Sequence, residues 1–566
     1  MNSNIDRALT RYSMKIILAV LLLIILVGCS SRTIDKSVND QSSSADSLYM
    51  NGRIYTVNNI HPWAQAIAVR DKEIIYVGDN ETSKAYIGTT TDVIDLKGQM
   101  VMPGIHDAHT HLVWAGLHKK FGCKLAADLN VNILIAQLKN CERGLADDQW
   151  IIGSLFFTNQ FPDGKPNKSY LDEAFPDRPV YLNEGSLHHA LVNSKALELA
   201  GIDEESLNPH GGEFVKDENG QLTGELVETA TALISRHIPL TSLADNIEAL
   251  QWAIETNNKF GITSVQDASG DLILLEALSA IENTGNLTLN VDAHIMWHSP
   301  NFNHMSDDQV ERLIRDRKKY QSDHLNPNNI KMWIDGSPTP PYFTEAGLEG
   351  DFTPDEKWVL ITPSVLNKAV TRFDALGMRV KMHASGAGSA HIVLDAIEAA
   401  RMANANTTIS HELAHTNLLA PSDMQRMEGL NTIAEMSPAV WHLYGRLLGN
   451  PPQKAWEFKK LQELGVTMTV GTDWGVSDDP NLFPALEGML HHGDDSIDLK
   501  AAIETVTING ATALGIEKKS GSLEAGKWAN FIVLDRNIFE VEPKNIGQVR
   551  VLKTVFEGKV VYESGL

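Results

Sequence analysis

The sequence predicts an α/β protein: a distorted TIM (β/α)8 barrel with a small β-sandwich formed from both chain termini. Three observations predict this fold. Short strand-like runs separated by turn residues occupy both ends of the chain, and a long middle alternates apolar strand-like runs with helix-like stretches. Residues able to bind metal stand at the ends of several of those middle strands. Repeated strand-then-helix units favour a parallel sheet, and this many favour a closed barrel.

Length and composition are compatible with that architecture. The chain has 566 residues and 43% hydrophobic composition, enough for a barrel plus a smaller domain. Its 48 basic and 72 acidic residues give a net charge of -24, which argues against binding nucleic acid. With three cysteines, any metal must be held by His, carboxylate or Lys-derived ligands rather than by a Cys-rich site. Cys123 and Cys141 either pair or remain separate thiols, and the sequence leaves both open.

The N-terminus predicts export. Residues 1–28 read as a signal peptide whose apolar run, Ile16–Val27, is shorter than the roughly 20 residues that span a bilayer. The run leads into Gly28-Cys29, which resembles a bacterial lipobox, and this implies lipidation of Cys29. The alternative is a plain signal or short anchor. Residues 29–46 are polar and Ser-rich, as in a flexible tether. The expected location is the cell envelope, facing the periplasm or the surface, with the outer membrane favoured over the inner.

The domain boundaries follow a change in the pattern of strand-like and helix-like runs along the chain. Residues 47–103 and 519–566 carry short strands and turns, so we expect them to form one β-sandwich together. Residues 104–518 form the predicted barrel. Its strand-like runs include Gly261–Val265, Ile330–Ile334, Val380–His383, Thr432–Met436 and Val466–Val470, and its helical stretches include Ile247–Asn258, His391–Ala403 and Pro421–Met427. In such barrels the chemistry lies at the carboxyl ends of the strands.

The candidate ligands stand at such ends. His109 and His111 terminate an apolar run after Pro-Gly, and residues i and i+2 of a strand point to the same side, so both imidazoles can meet one metal. Lys331 lies within an apolar strand-like run. A buried lysine is costly as a cation, and a neutral one could be carboxylated to bridge two ions; the alternative is a lysine that extends to solvent at a strand end.

Three further candidates complete an ordered set. His383 ends an apolar run before a Gly turn, and Asp473 follows another. Between them in the sequence, His411 and His415 are alternative candidates for one metal ligand, and spacing alone does not choose between them. His391 falls in a helical stretch and is expected to face away. Trp114, Trp333, Trp441 and Trp474 stand near these motifs and would be either an apolar wall of the site or packing.

The ordered set of candidate ligands resembles that of the amidohydrolase superfamily, and within it amidohydrolase family 3, the group similar to N-substituted formamide deformylase. The resemblance covers nearly the whole chain from Leu48 onward. The motifs that carry it are MPGIHDAHTH (102–111), RPVYLNEGSLHHALVNSKALELAGI (178–202), GITSVQDA (261–268), IKMWIDGSP (330–338), MHASG (382–386), AHTNLLAPSDM (414–424), GTDWGVSDDP (471–480) and SGSLEAGKWANFIVLD (520–535).

The resemblance implies a role for each candidate. His109 and His111 would bind the more buried metal, carboxylated Lys331 would bridge, and Asp473 would bind the first metal and act as base. His383 and His415 would bind a second metal, His415 being preferred over His411 because it stands just before LLAPSD. His188, with Asn193 five residues later, would face the substrate and polarise its carbonyl. This sequence departs from the family pattern at three places. It has Ala414 where the family commonly has Glu, Ala387 where the family commonly has Asp, and PTPPYF after Ser337 where the family has a different ending. These differences surround the site and bear on substrate identity more than on metal binding.

The expected activity is hydrolysis of a non-peptide C–N bond, such as an amide or formamide, in a small molecule by metal-activated hydroxide. One or two divalent ions are expected, with zinc favoured and manganese or iron compatible with the same ligands. Two alternatives stay open: deamination of a heterocyclic amine, against which Lys331 argues, and a non-catalytic ligand-binding lipoprotein. The sequence leaves the oligomeric state open, and the resemblance makes a homodimer one option because dimers are common in the family. The expected partners are therefore a small-molecule substrate and, through the N-terminal lipid anchor, a membrane.

Overall fold

The computed structural model describes residues 44–125, 130–146, 149–299, 304–338, 342–347, 354, 356–405, 407–438 and 455–565. Residues 1–28, most of the predicted tether and the predicted lipidation site Cys29 lie outside these ranges. In the part of the chain that the structure describes, no helix has both the length and the apolar character needed to cross a membrane.

Both chain termini contribute to one pair of packed sheets. The N-terminal elements are β1 (Ser47–Met50), β2 (Arg53–Tyr55), β3 (Trp63–Ala64), β4 (Ala66–Arg70), β5 (Glu73–Gly78), α1 (Asn80–Ser83), β6 (Asp92–Asp95) and β7 (Met100–Pro103). The C-terminal ones are β22 (Phe531–Leu534), β23 (Val551–Phe556) and β24 (Lys559–Glu563). One sheet has the order β5-β4-β1-β6 and the other β24-β23-β22-β7-β2-β3. Antiparallel pairing of β7 with β22 joins the two ends of the chain.

The sandwich core lies between these sheets. Tyr49 of β1 packs edge-on against Phe531 of β22, with ring centroids 4.9 Å apart, and Ile67 and Val69 of β4 share the same buried cluster. This packing follows from the alternation of apolar residues along short strands, which gives each sheet one apolar face.

Eight parallel strands form a nearly closed barrel in the order β21-β20-β19-β18-β17-β16-β15-β8. They are β8 (Ile105–Thr110), β15 (Ile262–Gly270), β16 (Asn290–Met296), β17 (Leu325–Trp333), β18 (Arg379–His383), β19 (His411–Ala414), β20 (Thr432–Met436) and β21 (Met468–Val470). Backbone hydrogen bonds from Asp473 N to His109 O and from His111 N to Trp474 O bring the last strand region against the first. The fold class predicted from the sequence is confirmed.

Helices surround the barrel. They are α2 (Leu112–Lys120), α7 (Leu243–Lys259), α8 (Leu272–Asn283), α9 (Asp307–Asp316), α10 (Pro363–Ala375), α11 (Ala387–Ala403), α12 (Pro421–Gly429), α13 (Phe458–Glu463), α14 (Phe483–Leu490), α15 (Leu499–Thr505) and α16 (Ile508–Leu514). Local sequence explains where several begin. Ser242 and Asp271 cap α7 and α8 by accepting backbone N–H groups of the first turn, and Pro363 occupies the first position of α10.

A third sheet interrupts the barrel between its first two strands, within the range 104–518 that the sequence assigned to the barrel alone. Its elements are β9 (Cys123–Lys124), α3 (Val131–Glu142), β10 (Ile151–Phe156), α4 (Ser169–Ala174), β11 (Val180–Glu184), β12 (His189–Val192), α5 (Ser194–Ala200), β13 (Gly212–Lys216), β14 (Leu222–Glu228) and α6 (Ala230–Ser235). The strand order is β13-β14-β12-β11-β10-β9. A disulfide between Cys123 and Cys141 joins β9 to α3, which decides the pairing that the sequence left open.

A charged contact joins the barrel to the sandwich. His324 lies 3.0 Å from Glu282 of α8 through its Nδ1 and 3.3 Å from Glu557, just after β23, through its Nε2. Burial lowers the pKa of His324, but the hydrogen bonds and charges of the two glutamates outweigh burial, and the pKa is raised. The imidazole therefore links the two modules, and the two carboxylates favour its protonated form.

Candidate metal centre

A cavity of 30 Å³ lies at the carboxyl ends of the barrel strands. The structure brings all seven residues singled out for the site to its wall: His109, His111, His188, Lys331, His383, His415 and Asp473. Six come from the barrel strands or the turns that follow them, because parallel strands present their carboxyl ends at one rim. The seventh, His188, comes from the inserted sheet.

Two histidines and a carboxylate form the first ligand group. His111 Nε2 lies 3.1 Å from Asp473 Oδ1, and His109 Nε2 lies 3.8 Å from the same oxygen. One ligand atom from each of the three residues falls within 4.8 Å of the others. Imidazole nitrogens and a carboxylate at this spacing suit a divalent ion such as zinc. The residues present therefore fit a metal ion at this position.

The approach of β21 to β8 leaves no room for a side chain. A Cβ on Gly471 would clash with the backbone nitrogen of His109. Asp107 spans the same junction, since its carboxylate accepts from the backbone N–H groups of both His109 and Thr472. Glycine at position 471 thus lets the strand that carries Asp473 lie directly against the strand that carries the histidines.

Lys331 is buried beside this group. It is 1% exposed, its Nζ lies 3.4 Å from His109 Nε2, and it lies 4.8 Å from the centre of the Trp333 ring. Burial, helped by the positive charge of Lys381, lowers the pKa of Lys331 to about 7. Burial therefore favours the neutral amine over the ammonium form.

His383 and His415 lie beside each other in the cavity wall. Their ring centroids are 4.4 Å apart, and the His415 ring is 4.6 Å from that of His109. His383 Nε2 lies 3.1 Å from the carbonyl oxygen of Gly336. Burial lowers the pKa of both histidines well below the usual value, so they are neutral, which is the form that binds metal.

The other two histidines near these motifs have structural partners. His411 Nε2 lies 2.9 Å from Asp374 of α10. His391 Nδ1 lies 3.0 Å from both carboxylate oxygens of Asp423. Neither histidine lines the cavity.

Glu435 is a site residue that the sequence interpretation missed. It is fully buried on β20, and its Oε2 lies 2.7 Å from His109 Nδ1. Its carboxylate also forms a compact group with the ligand atoms of His109 and His415. A carboxylate on the second nitrogen of a metal-binding histidine fixes its tautomer and ring orientation. The sequence contains a signal for Glu435, because a charged residue within an apolar strand-like run is the same feature that indicates Lys331.

A second missed carboxylate holds His188. Glu228 is fully buried at the end of β14, and His188 Nδ1 lies 3.1 and 2.9 Å from its two oxygens. The backbone supports this contact, because Glu228 N donates to His188 O. Burial lowers the pKa of His188, but the charge and hydrogen bond of Glu228, together with the charges of Asp473 and Asp335, outweigh burial, and the pKa is raised. A protonated His188 with Nδ1 engaged has Nε2 free of this pair to donate a hydrogen bond.

A buried polar layer supports the barrel strands behind the site. Lys381 Nζ lies 2.9 Å from Glu412 and donates to Gln266 Oε1 at 2.6 Å. The same ammonium group donates to the carbonyl oxygen of Ala108, immediately before His109. Because an unpaired buried charge is strongly unfavourable, these contacts fix the relative positions of strands β8, β15, β18 and β19.

The tryptophans divide into two groups. Trp114 and Trp333 line the cavity, and Trp114 stacks on His111 with ring centroids 4.7 Å apart. Trp474 is 1% exposed and packs in the core near Trp252. Trp441 lies outside the described residues.

Comparison with known proteins shows relatives along nearly the whole chain. Protein LONG AFTER FAR-RED 3 of Arabidopsis thaliana is 27% identical, over 92% of this chain and 92% of its own length. N-substituted formamide deformylase of Arthrobacter pascens is 25% identical, over 92% of this chain and 98% of its own length. The crystal structure of an uncharacterized metal-dependent hydrolase from Pyrococcus horikoshii OT3 shares the fold, with a TM-score of 0.69 at 22% identity over 88% of this chain and 99% of that one.

The family itself is shown by a sequence match that spans the barrel and about half of the sandwich. The model of the amidohydrolase family matches residues 92–562. That range contains every residue that lines the cavity described above. The chain is therefore a member of the amidohydrolase family.

Proposed function

We propose that this protein hydrolyses an amide-type C–N bond, outside peptides, in a small molecule, with one or two divalent ions and zinc favoured. The observation that carries the proposal is the convergence of His109, His111 and Asp473 ligand atoms within 4.8 Å. Membership of the amidohydrolase family supports the reaction class. The relative named N-substituted formamide deformylase supports a formyl or other small acyl group on nitrogen as the substrate feature.

The proposed ligands divide between two positions. His109, His111 and Asp473 would hold one ion, His383 and His415 a second, and carboxylated Lys331 would bridge them. An ion bound there lowers the pKa of a coordinated water to about 7 and polarises a carbonyl group.

The remaining steps belong to side chains of the chain itself. Asp473 accepts a proton from the attacking water and delivers it to the leaving nitrogen, because its carboxylate lies at the rim of the cavity beside His111. His188, held through Nδ1 by Glu228, donates from Nε2 to the carbonyl oxygen as negative charge develops there. Burial of these groups strengthens both interactions, since little water competes for the same donors and acceptors.

Carboxylation of Lys331 has a clear chemical basis. The neutral Nζ attacks the carbon of carbon dioxide, an N–C bond forms and one proton is released, which leaves an anionic carbamate. Burial favours the neutral amine needed for this reaction, since it lowers the pKa of Lys331 to about 7. The product would carry two oxygen ligands on the carbon newly bonded to Nζ, and Nζ itself lies 3.4 Å from His109 Nε2.

Metal analysis and a substrate panel test the proposal. The purified full-length protein is loaded with zinc or manganese and assayed against N-acyl amines and heterocyclic amines, with and without chelator. We expect release of amine from an N-acyl amine that the chelator abolishes. Deamination of ring amines alone would favour the deaminase alternative. Inactivity of the metal-loaded protein on both groups would contradict an enzymatic function of this class.

Two variants test the named roles. Lys331→Ala and Asp473→Asn are each expected to lower kcat by about 100-fold or more, since each removes a ligand or a proton carrier. Lys368→Ala, at an exposed position of α10, is the matched control and should keep wild-type activity. Full activity in the Lys331 variant would exclude the bridging carbamate.

We further propose that the protein is lipid-anchored in the cell envelope, with the outer membrane favoured. Support comes from the sequence alone: the apolar run Ile16–Val27 and the lipobox-like segment that ends at Cys29. Labelling with a fatty-acid analogue should mark the wild-type protein and leave Cys29→Ala unlabelled. Equal labelling of both proteins, or of neither, would contradict anchoring at this residue.

A further inference from the structure

A second cavity, of 240 Å³, lies beside the metal-site cavity between helix α2, the inserted sheet and the starts of helices α7 and α8. Its wall is mainly apolar and includes Val113, Leu117, Phe121, Ile152, Ile238 and Ile273. Trp114 lines this cavity and the metal-site cavity alike. The two cavities therefore share the Trp114 side chain as part of their walls, and we refer to the second one as the side pocket.

We propose that the side pocket binds an apolar substituent, of about one ring in size, carried by the leaving nitrogen of the substrate. The inference rests on the proposed C–N hydrolysis and adds the chemical class of the amine that is released. The metal-site cavity of 30 Å³ has room for ions and water but not for such a group. The 240 Å³ of the side pocket lies just below the roughly 300–1,000 Å³ typical of pockets for drug-sized ligands, which suits one ring with a short linker.

The arrangement of the site places the leaving nitrogen on the side of Trp114. His188, which is proposed to contact the carbonyl oxygen, lies next to His383, with ring centroids 5.1 Å apart. Asp473, which is proposed to protonate the nitrogen, lies 3.1 Å from His111 Nε2. Trp114 stacks on that same His111. A substituent on the nitrogen would therefore lie on the Trp114 side of the site, next to the wall that the two cavities share.

Two polar side chains of the side pocket, Asn246 and Asp271, are held by hydrogen bonds within the protein. Asn246 Nδ2 donates to Thr241 Oγ1 at 2.8 Å, and the Asp271 carboxylate caps α8 by accepting from Leu274 N at 2.8 Å. Burial lowers the pKa of His118 to about 4, so this imidazole is neutral. A mainly apolar wall favours an apolar substituent, because burying its surface gains about 25 cal/mol per Å² while a charged substituent would lose its hydration.

Kinetics on two formamides test the inference. N-(cyclohexylmethyl)formamide carries the ring that the side pocket would take, and N-methylformamide does not. The ratio of their kcat/KM values should favour the ring substrate by roughly tenfold or more, because an apolar group in a fitting pocket discriminates by about that factor. Leu117→Trp fills the pocket and should abolish the preference.

Two further proteins make this result interpretable. Phe121→Ala, at a partly exposed position of the pocket wall, should weaken the preference with less risk to folding. Leu199→Trp lies on exposed surface of α5 and should keep the wild-type ratio. A ratio near one in the wild type, or an unchanged ratio in both pocket variants, would overturn the inference while leaving the hydrolase proposal intact.

A binding measurement separates failure of the inference from failure of the proposed function. Metal-loaded Asp473→Asn is titrated calorimetrically with each formamide, alone and combined with Leu117→Trp. Tighter binding of the ring compound that Leu117→Trp removes would support the side pocket even if the wild type hydrolysed neither compound. Equal binding of the two compounds would overturn the inference even in a protein that is an active hydrolase.

Discussion

The contact between Glu435 and His109 makes a quantitative prediction about metal affinity. Glu435 Oε2 lies 2.7 Å from His109 Nδ1, and both side chains are buried, so the ring nitrogen Nε2 is presented to the metal in a fixed orientation. A hydrogen bond to a charged partner contributes about 1.5–3 kcal/mol, against about 0.5–1.5 kcal/mol for a neutral one. Glu435→Gln keeps an acceptor oxygen but removes the charge.

The expected loss follows from that difference. About 1–1.5 kcal/mol corresponds to roughly tenfold weaker metal binding for Glu435→Gln. Glu435→Ala removes the acceptor altogether and should approach the upper end of the roughly 10–100-fold range seen for carboxylates that support metal-binding histidines. Competition with a chromogenic zinc chelator at pH 7.5 measures both affinities.

A matched control distinguishes orientation of His109 from general damage to the barrel. Glu225 is also a buried carboxylate; it accepts from Tyr342 Oη at 3.1 Å and does not line the metal-site cavity. Glu225→Gln should bind zinc with wild-type affinity. Equal zinc affinity of Glu435→Gln and the wild type, or an equal loss in the Glu225 variant, would refute the role assigned to Glu435.

Three further predictions concern stability and site assembly. Cys123→Ser should lower the free energy of unfolding under oxidising conditions by about 3 kcal/mol, as expected for a disulfide of sequence separation 18, and reductant should remove the difference from the wild type. His324→Gln should lower the melting temperature more at pH 6 than at pH 8.5. Because the pKa of His324 is raised in the folded protein, the stability that its ion pairs provide is fully present below about pH 6.5 and is lost as the pH rises through the folded-state pKa. A difference in melting temperature that does not change with pH would contradict the bridge. Gly471→Ala should reduce zinc content by displacing His109, whereas Gly429→Ala, where a Cβ meets nothing within 4 Å, should retain it. Equal zinc content in the two alanine variants would argue against close packing at position 471.

Much of the site was predictable because its residues follow local rules. His109 and His111 stand two residues apart after an apolar run, and His383 and Asp473 each follow a strand, so the carboxyl rim of a parallel barrel was the expected meeting place. Spacing alone did not separate His411 from His415. The family resemblance favoured His415, and in the structure His415 lines the cavity while His411 meets Asp374 of a surrounding helix.

The strand pairing of the inserted sheet could not be predicted from local sequence rules. Its strands pair in the order β13-β14-β12-β11-β10-β9, so neighbours in space are not always neighbours in sequence. The sequence of a short apolar run does not determine which other run it pairs with. For this reason, the sequence predicts a single barrel for all of residues 104–518. His188 was singled out by resemblance, but its support by Glu228, 40 residues away, depends on the pairing of β12 with β14.

The sequence by itself determined the periodic features: the alternation of strands and helices, the sandwich at the two ends and the ordered set of possible ligands. These depend on residue type and spacing along the chain. The tertiary structure alone decided which charges meet in the interior, as for Glu435 with His109 and Lys381 with Glu412. The physical reason is that burial makes each charge dependent on a specific partner, and the identity of that partner is set by how distant strands pack rather than by their local sequence.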